Sequence, residues 1–236
     1  MSEDIQPWGR VSTLLLAAAV MVAAQIIAFT ALLSLFGMSL SSHGDIGGDG
    51  VSVALLILIS TPVQITMLIL LAARRGNPLD YLALVVPKRG DVIFGVLAII
   101  ALIVVADAVS WLADRDLVTS FQIAIYRTAD AAGWLPLLWF AVVIGAPAGE
   151  EMLFRGFLFR GWLRKPTDTW AVIAITAGLF ALMHVQYDWF VMGQVFIFGL
   201  LLGFMRWASG SVLLTMLLHA IINFEGMLET WISLNV

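Results

Sequence analysis

The chain has 236 residues, of which 61% are hydrophobic and 12% charged, and its mean hydropathy is +1.01. A water-soluble core of this length cannot hide so much apolar surface, so lipid is the solvent for most of the chain. The net charge of -4 is small and says little about partners, the twelve basic residues show no cluster of the nucleic-acid kind, and the lack of cysteine excludes disulfides, thiolate metal sites and a cysteine nucleophile.

The first apolar run starts near Val11. It is too long for a signal-peptide core and no small-residue cleavage site follows it, so it is read as a retained span. Seven spans are expected, at 11–37, 51–73, 91–113, 134–164, 169–186, 189–206 and 211–231. The loop Ser41–Gly50, with His43, is flexible and solvated. The stretch Asp114–Gly133 is amphipathic. It either lies on the surface or hides a short eighth helix. The fourth span is over-long, and its end leaves the bilayer with Arg160, Arg164 and Lys165. The fold class is therefore all-α, a polytopic transmembrane bundle of seven or eight spans. Residues 1–133 form N-terminal helices with an amphipathic linker, 134–231 a helical core and 232–236 a tail.

With the N-terminus inside, the inner segments hold Arg10, Arg74, Arg75, Lys88, Arg89, Arg160, Arg164, Lys165 and Arg206. The outer segments hold Arg115 and Arg127. The positive-inside bias thus places the N-terminus in the cytoplasm. No pair of inverted repeats with broken helices is evident.

Ionisable groups inside spans are costly and are functional candidates by default. They concentrate in the second half: Glu150, Glu151 and Arg155 in GAPAGEEMLFRG, His184 in FALMH, and His219 with Asn223 in HAIIN, followed by Glu225 and Glu229. Glu151 and Arg155 share a helix face and can pair. Glu150 points about 100° away and is free to face a cavity. At a rise of about 1.5 Å per residue, Glu150 lies roughly 21 Å from the cytosolic helix end, His184 roughly 24 Å, His219 roughly 12 Å and Asn223 roughly 18 Å. Three helices therefore deliver polar groups to one membrane layer. Pro147, beside Gly145 and Gly149, is expected to kink the fourth span and open a polar pocket. Gly199 and Gly203 form a small-xxx-small pattern that signals close helix packing. Trp134, Trp139, Trp189 and Trp231 are read as interfacial residues. Glu225 and Glu229 face outer solvent or polar groups of the bundle.

Two neighbouring carboxylates in a low dielectric do not both ionise cheaply. Arg155 favours the charge on Glu151, which leaves Glu150 as the group that exchanges a proton and acts as general base. His184 would help bind and deprotonate water, while His219 and the Asn223 amide would donate to a developing oxyanion. This set suffices for water attack on an amide. A second way to assemble the same parts is a zinc ion held by His184, His219 and a glutamate, although no HExxH is present.

These motifs resemble the CPBP family of intramembrane proteases, also called the Abi or CAAX-protease-and-bacteriocin-processing family. The matching residues are EExxxR at Glu150–Arg155, FxxxH at Phe180–His184 and HxxxN at His219–Asn223, with AP before EE, FRG after it and the turn Ser209–Ser211 before the last motif. The resemblance implies an active site within the bilayer, open towards the cytosol, and hydrolysis of a peptide bond in a membrane protein or peptide. It implies that Glu150 and His184 activate water, that His219 and Asn223 stabilise the oxyanion and that Glu151 and Arg155 support them. A catalytic zinc remains open, and the expected location is the bacterial plasma membrane. Two other classes use the same buried charges: a proton- or ion-coupled transporter, and an inactive membrane scaffold. The lack of an inverted repeat counts against the first, and the intact motifs count against the second.

Overall fold

The computed structural model describes residues 6–35 and 48–236; the expected loop of Ser41–Gly50, with His43, lies mostly outside them. Among the described residues the chain is helical throughout. α1 runs over Arg10–Leu35, α2 over Gly50–Ala73, the short α3 over Pro78–Tyr81, α4 over Arg89–Leu112 and α5 over Ser120–Ala131. The long α6 covers Leu135–Trp162, followed by α7 at Thr169–Leu182, α8 at Trp189–Ser209 and α9 at Val212–Asn235.

Six of these, α1, α2, α4, α6, α8 and α9, are long and apolar enough to cross a membrane. Their outward faces carry exposed Leu, Ile, Val, Phe and Trp, such as Leu97, Val104 and Ile26, as lipid contact requires. The expected fifth span is shorter than the sequence suggests. α7 ends at Leu182 and the chain turns through 183–188 before Asp188 caps α8 with its carboxylate on the amides of Phe190 and Val191. The linker does hide a helix. Thr119 and Gln122 form a capping box at the start of α5, and Ile125, Tyr126 and Ala129 pack it against α2, α6 and α9 instead of leaving it on the surface. Residues 232–235, expected as tail, continue α9.

Lipid supplies no hydrophobic drive between helices, so close contact depends on small residues. The pattern at Gly199 and Gly203 does this on α8: a Cβ there would meet Ala177 at 3.1 Å and Ile173 at 3.1 Å, both on α7. α8 ends at Gly210 in the left-handed conformation, with φ of 72°. Ser211 then caps α9 and its hydroxyl donates to the Val85 carbonyl at 2.6 Å, which ties the start of α9 to the segment before α4.

α5 is held still closer. A Cβ on Gly50 would come 1.9 Å from the backbone oxygen of Ile125 and 2.7 Å from Ala129. Gly50→Ala should therefore force α2 and α5 apart and cost about 1–3 kcal/mol. Gly90→Ala meets nothing within 4 Å and should be neutral or slightly stabilising. Thermal unfolding in detergent checks both, and equal melting temperatures would contradict this packing.

Candidate active site in the bundle

The site is organised by α6, whose helix widens twice, into π-type turns at Ala141–Gly145 and Met152–Leu158. Proline normally clashes with the preceding turn and breaks the ladder. Here the first wide turn absorbs Pro147, so the expected kink is a local widening and the helix continues to Trp162. The Ala146 amide bonds the Ala141 carbonyl, five residues back. Pro147, next in that register, has no N–H to give Val142. The Asn223 amide takes the orphaned Val142 carbonyl at 2.8 Å. From α2, Gln64 donates to the Gly149 carbonyl at 2.7 Å and Thr61 to that of Gly145 at 3.3 Å. Irregular backbone at membrane depth is thus satisfied by side chains.

The two adjacent glutamates separate as the helical geometry predicts. Glu151 is wholly buried, and its Oε1 accepts from Arg155 Nη1 at 2.8 Å and from His219 Nδ1 at 3.0 Å. Arg155, also wholly buried, donates from Nη2 to the Gly199 carbonyl at 3.1 Å and lies over the Phe180 ring at 4.6 Å. The side chain of Glu150 is 34% exposed, and its Oε2 stands 3.8 Å from His219 Nε2 with no hydrogen bond of its own.

His184 lies just past the end of α7 and not on its face. Its Nδ1 still reaches back to the Phe180 carbonyl at 2.9 Å. Phe180 sits between the two imidazoles, with its centroid 4.8 Å from that of His184 and 5.5 Å from that of His219, nearly edge-on to the latter. Tyr187 stacks on His184 at 6.0 Å. A cavity of about 300 Å³ is lined by Glu150, His184, His219 and Asn223 together. All four sequence candidates therefore border one space, with Glu151 and Arg155 behind it.

Sequence reasoning missed three features. Glu151 was read as the partner of Arg155 alone, whereas it also holds His219; a contact between α6 and α9 has no spacing signal. Asp107, an intramembrane acid on α4, escaped notice although its place in a span was the signal. It joins Glu225 and Glu229 in a carboxylate group whose oxygens lie within 4.8 Å of one another on the same cavity. These two glutamates therefore face a shared internal space. Tyr187, in the turn before α8, gave no motif signal. Burial pushes its phenol up to about 12.

The donor set gives a mixed answer for a zinc ion. Each imidazole is oriented through Nδ1, on a carbonyl or a carboxylate, with Nε2 left over, as metal-bound histidines are. Ligand atoms around a tetrahedral zinc at about 2.0–2.1 Å must crowd together. Among the described residues, Glu150, His184 and His219 do not bring one donor atom each within 4.8 Å of one another. The site as arranged does not fit a bound zinc.

Residues 132–224 match the model of the Rce1-like family, described as type II CAAX prenyl endopeptidase Rce1-like. All three motifs lie within that segment. That match, over less than half of the chain, supports its likeness to the CPBP family of intramembrane proteases. A protein of *Escherichia coli* described as an uncharacterized 24.3 kDa protein is 36% identical over 80 residues, which are 33% of this chain and 37% of the relative. The matched region is thus about a third of this chain and little more than a third of the relative's length. No solved structure matches.

Breaking a buried ion pair leaves an uncompensated charge, at a cost of about 3–5 kcal/mol. Glu151→Gln and Arg155→Ala should each lower the melting temperature in detergent, and Glu150→Gln, on the cavity side, should leave it close to wild type. Unchanged melting for the first two would remove the structural role of the pair.

Proposed function

We propose that this protein is an intramembrane endopeptidase that hydrolyses a peptide bond of a membrane-associated protein or peptide, with its N-terminus in the cytosol and its cavity reaching towards the opposite end of the bundle, against the cytosolic opening that the resemblance implies. The observation that carries the reading is the division of labour between neighbours: Glu151 is consumed by Arg155 and His219, while Glu150 lines the cavity and keeps an oxygen with no hydrogen bond.

In this mechanism Glu150 takes a proton from a water molecule as the hydroxide attacks the scissile carbonyl carbon. His184, held by the Phe180 carbonyl, presents Nε2 to the same water. The carbonyl π electrons move to oxygen, and that oxyanion meets the second N–H of Asn223 and, once protonated, Nε2 of His219. The separation of 3.8 Å between Glu150 and His219 lets the abstracted proton pass to Nε2 through one water or a small ring shift. It then goes to the departing amine as the C–N bond breaks, so the water's O–H ends on the new carboxyl and its other proton on the new amine. Removing a single oxyanion donor costs about 100- to 1,000-fold in rate.

Glu150→Gln should abolish cleavage of a membrane peptide by the purified protein, and Asn223→Ala should slow it by about 100-fold or more. Full turnover by Glu150→Gln would remove the base assignment. Because the donor atoms are too dispersed to share an ion, turnover should survive a strong chelator. Loss of activity restored by added zinc would instead mean that the two imidazoles close on a metal.

The carboxylates Asp107, Glu225 and Glu229 on the same cavity favour one second reading, coupling to a proton or cation. Ion-dependent uptake into vesicles, with no peptide cleavage, would support it over hydrolysis.

A further inference from the structure

The second concentration of charge lies at the other end of the bundle from those carboxylates. Burial pushes the Tyr81 hydroxyl of α3 up, and it is opposed there by the Trp8 amide, at 3.4 Å, and by the positive field of Arg160 and Arg164, at the end of α6, and of Arg75, at the end of α2. Arg206, in the last turn of α8, adds its field to that of Arg160. No carboxylate answers them: among the described residues none of these four arginines makes an ion pair. The nearby acid, Asp168, is already committed. Desolvation opposes its charge, but the amides of Lys165 and Arg164 and the Arg10 guanidinium, at 2.6 Å, hold its carboxyl below the usual range.

The four guanidinia are not equivalent. Arg164 is spent on backbone carbonyls, those of Gly161, Pro7 and Trp8, and ties down the segment before α1. Arg206 gives its Nε–H to the Arg155 carbonyl at 2.9 Å. Arg75 lies on the Trp8 ring at 3.8 Å, and the half-buried Arg160 acts on the same Tyr81 hydroxyl. Among the described residues the Nε–H groups of Arg75 and of Arg160 are shut off from solvent and have no acceptor. Buried donors of this kind are ordinarily satisfied. Trp8, Trp162, Trp170 and Trp207 stand at this end of the bundle, which sets it at headgroup depth.

We infer that Arg75 and Arg160, with Arg206 beside them, form a binding site for a phosphate group, and that the group is the headgroup phosphate of an anionic phospholipid. Planar guanidinium forks match phosphate oxygens, and basic pockets between helices on the cytoplasmic side take anionic headgroups. The tryptophan-marked depth selects a lipid over a free anion. The site is remote from the hydrolytic cavity, so it stands or falls independently of the proposed peptidase activity.

Native mass spectrometry of the full chain from detergent tests this. Wild type should retain phosphatidylglycerol in preference to phosphatidylcholine, and added NaCl should strip the former first. The double variant R75Q/R160Q should lose the preference, at about fivefold per arginine, while Arg127→Gln, on α5, should keep it. Equal retention of the two lipids by wild type would overturn the site, as would an unchanged preference in the double variant. Displacement of phosphatidylglycerol by equimolar inorganic phosphate would overturn the assignment to a lipid. The salt series on wild type alone decides the matter if the double variant does not fold.

Discussion

One carboxylate oxygen, Oε1 of Glu151, is the point on which the rest of the site depends. It accepts from Arg155 on its own helix and from His219 on α9, in a space closed to water. A charge so buried persists only with partners that cancel it and donors that satisfy it. Arg155 does the first and also reaches the Gly199 carbonyl on α8. The same group of atoms therefore fixes α6 against both α8 and α9 and sets the imidazole angle. Glu150, one residue away, is spared these duties.

The backbone of α6 makes a parallel contribution. The wide turn before Pro147 leaves the Val142 carbonyl without a helical partner, and Asn223 fills the gap. A residue read as an oxyanion donor is thus anchored by one amide hydrogen and has a second to offer. Phe180 plays a related part through shape: it separates the imidazoles, carries the Arg155 guanidinium on its face and supplies the carbonyl that orients His184.

Much of this was legible in the residues. Hydropathy located the six long helices, and intramembrane charge marked Glu150, Glu151, Arg155, His184, His219 and Asn223, because lipid makes each of them expensive. The limits have physical causes. The end of α7 was misjudged because MHV continues an apolar run, while the chain turns to let Asp188 cap α8. Pro147 is expected from sequence to kink its helix, because a widened turn depends on donors from α2 and α9 that a linear sequence does not reveal. The link from Glu151 to His219 spans 68 residues, and no periodicity encodes it. Asp107 was visible as a charge in a span, but its meeting with Glu225 and Glu229 depends on how α4 packs on α9.

The most direct test is the protonation of one ring. A carboxylate only accepts hydrogen bonds, so the contact between Glu151 and His219 requires the hydrogen on Nδ1. Nitrogen-15 NMR of the selectively labelled imidazole in the resting protein should find His219 protonated at Nδ1. A neutral ring with its hydrogen on Nε2 and a bare Nδ1 would mean that Glu151 does not hold this histidine, and the architecture described for the site would fail with it.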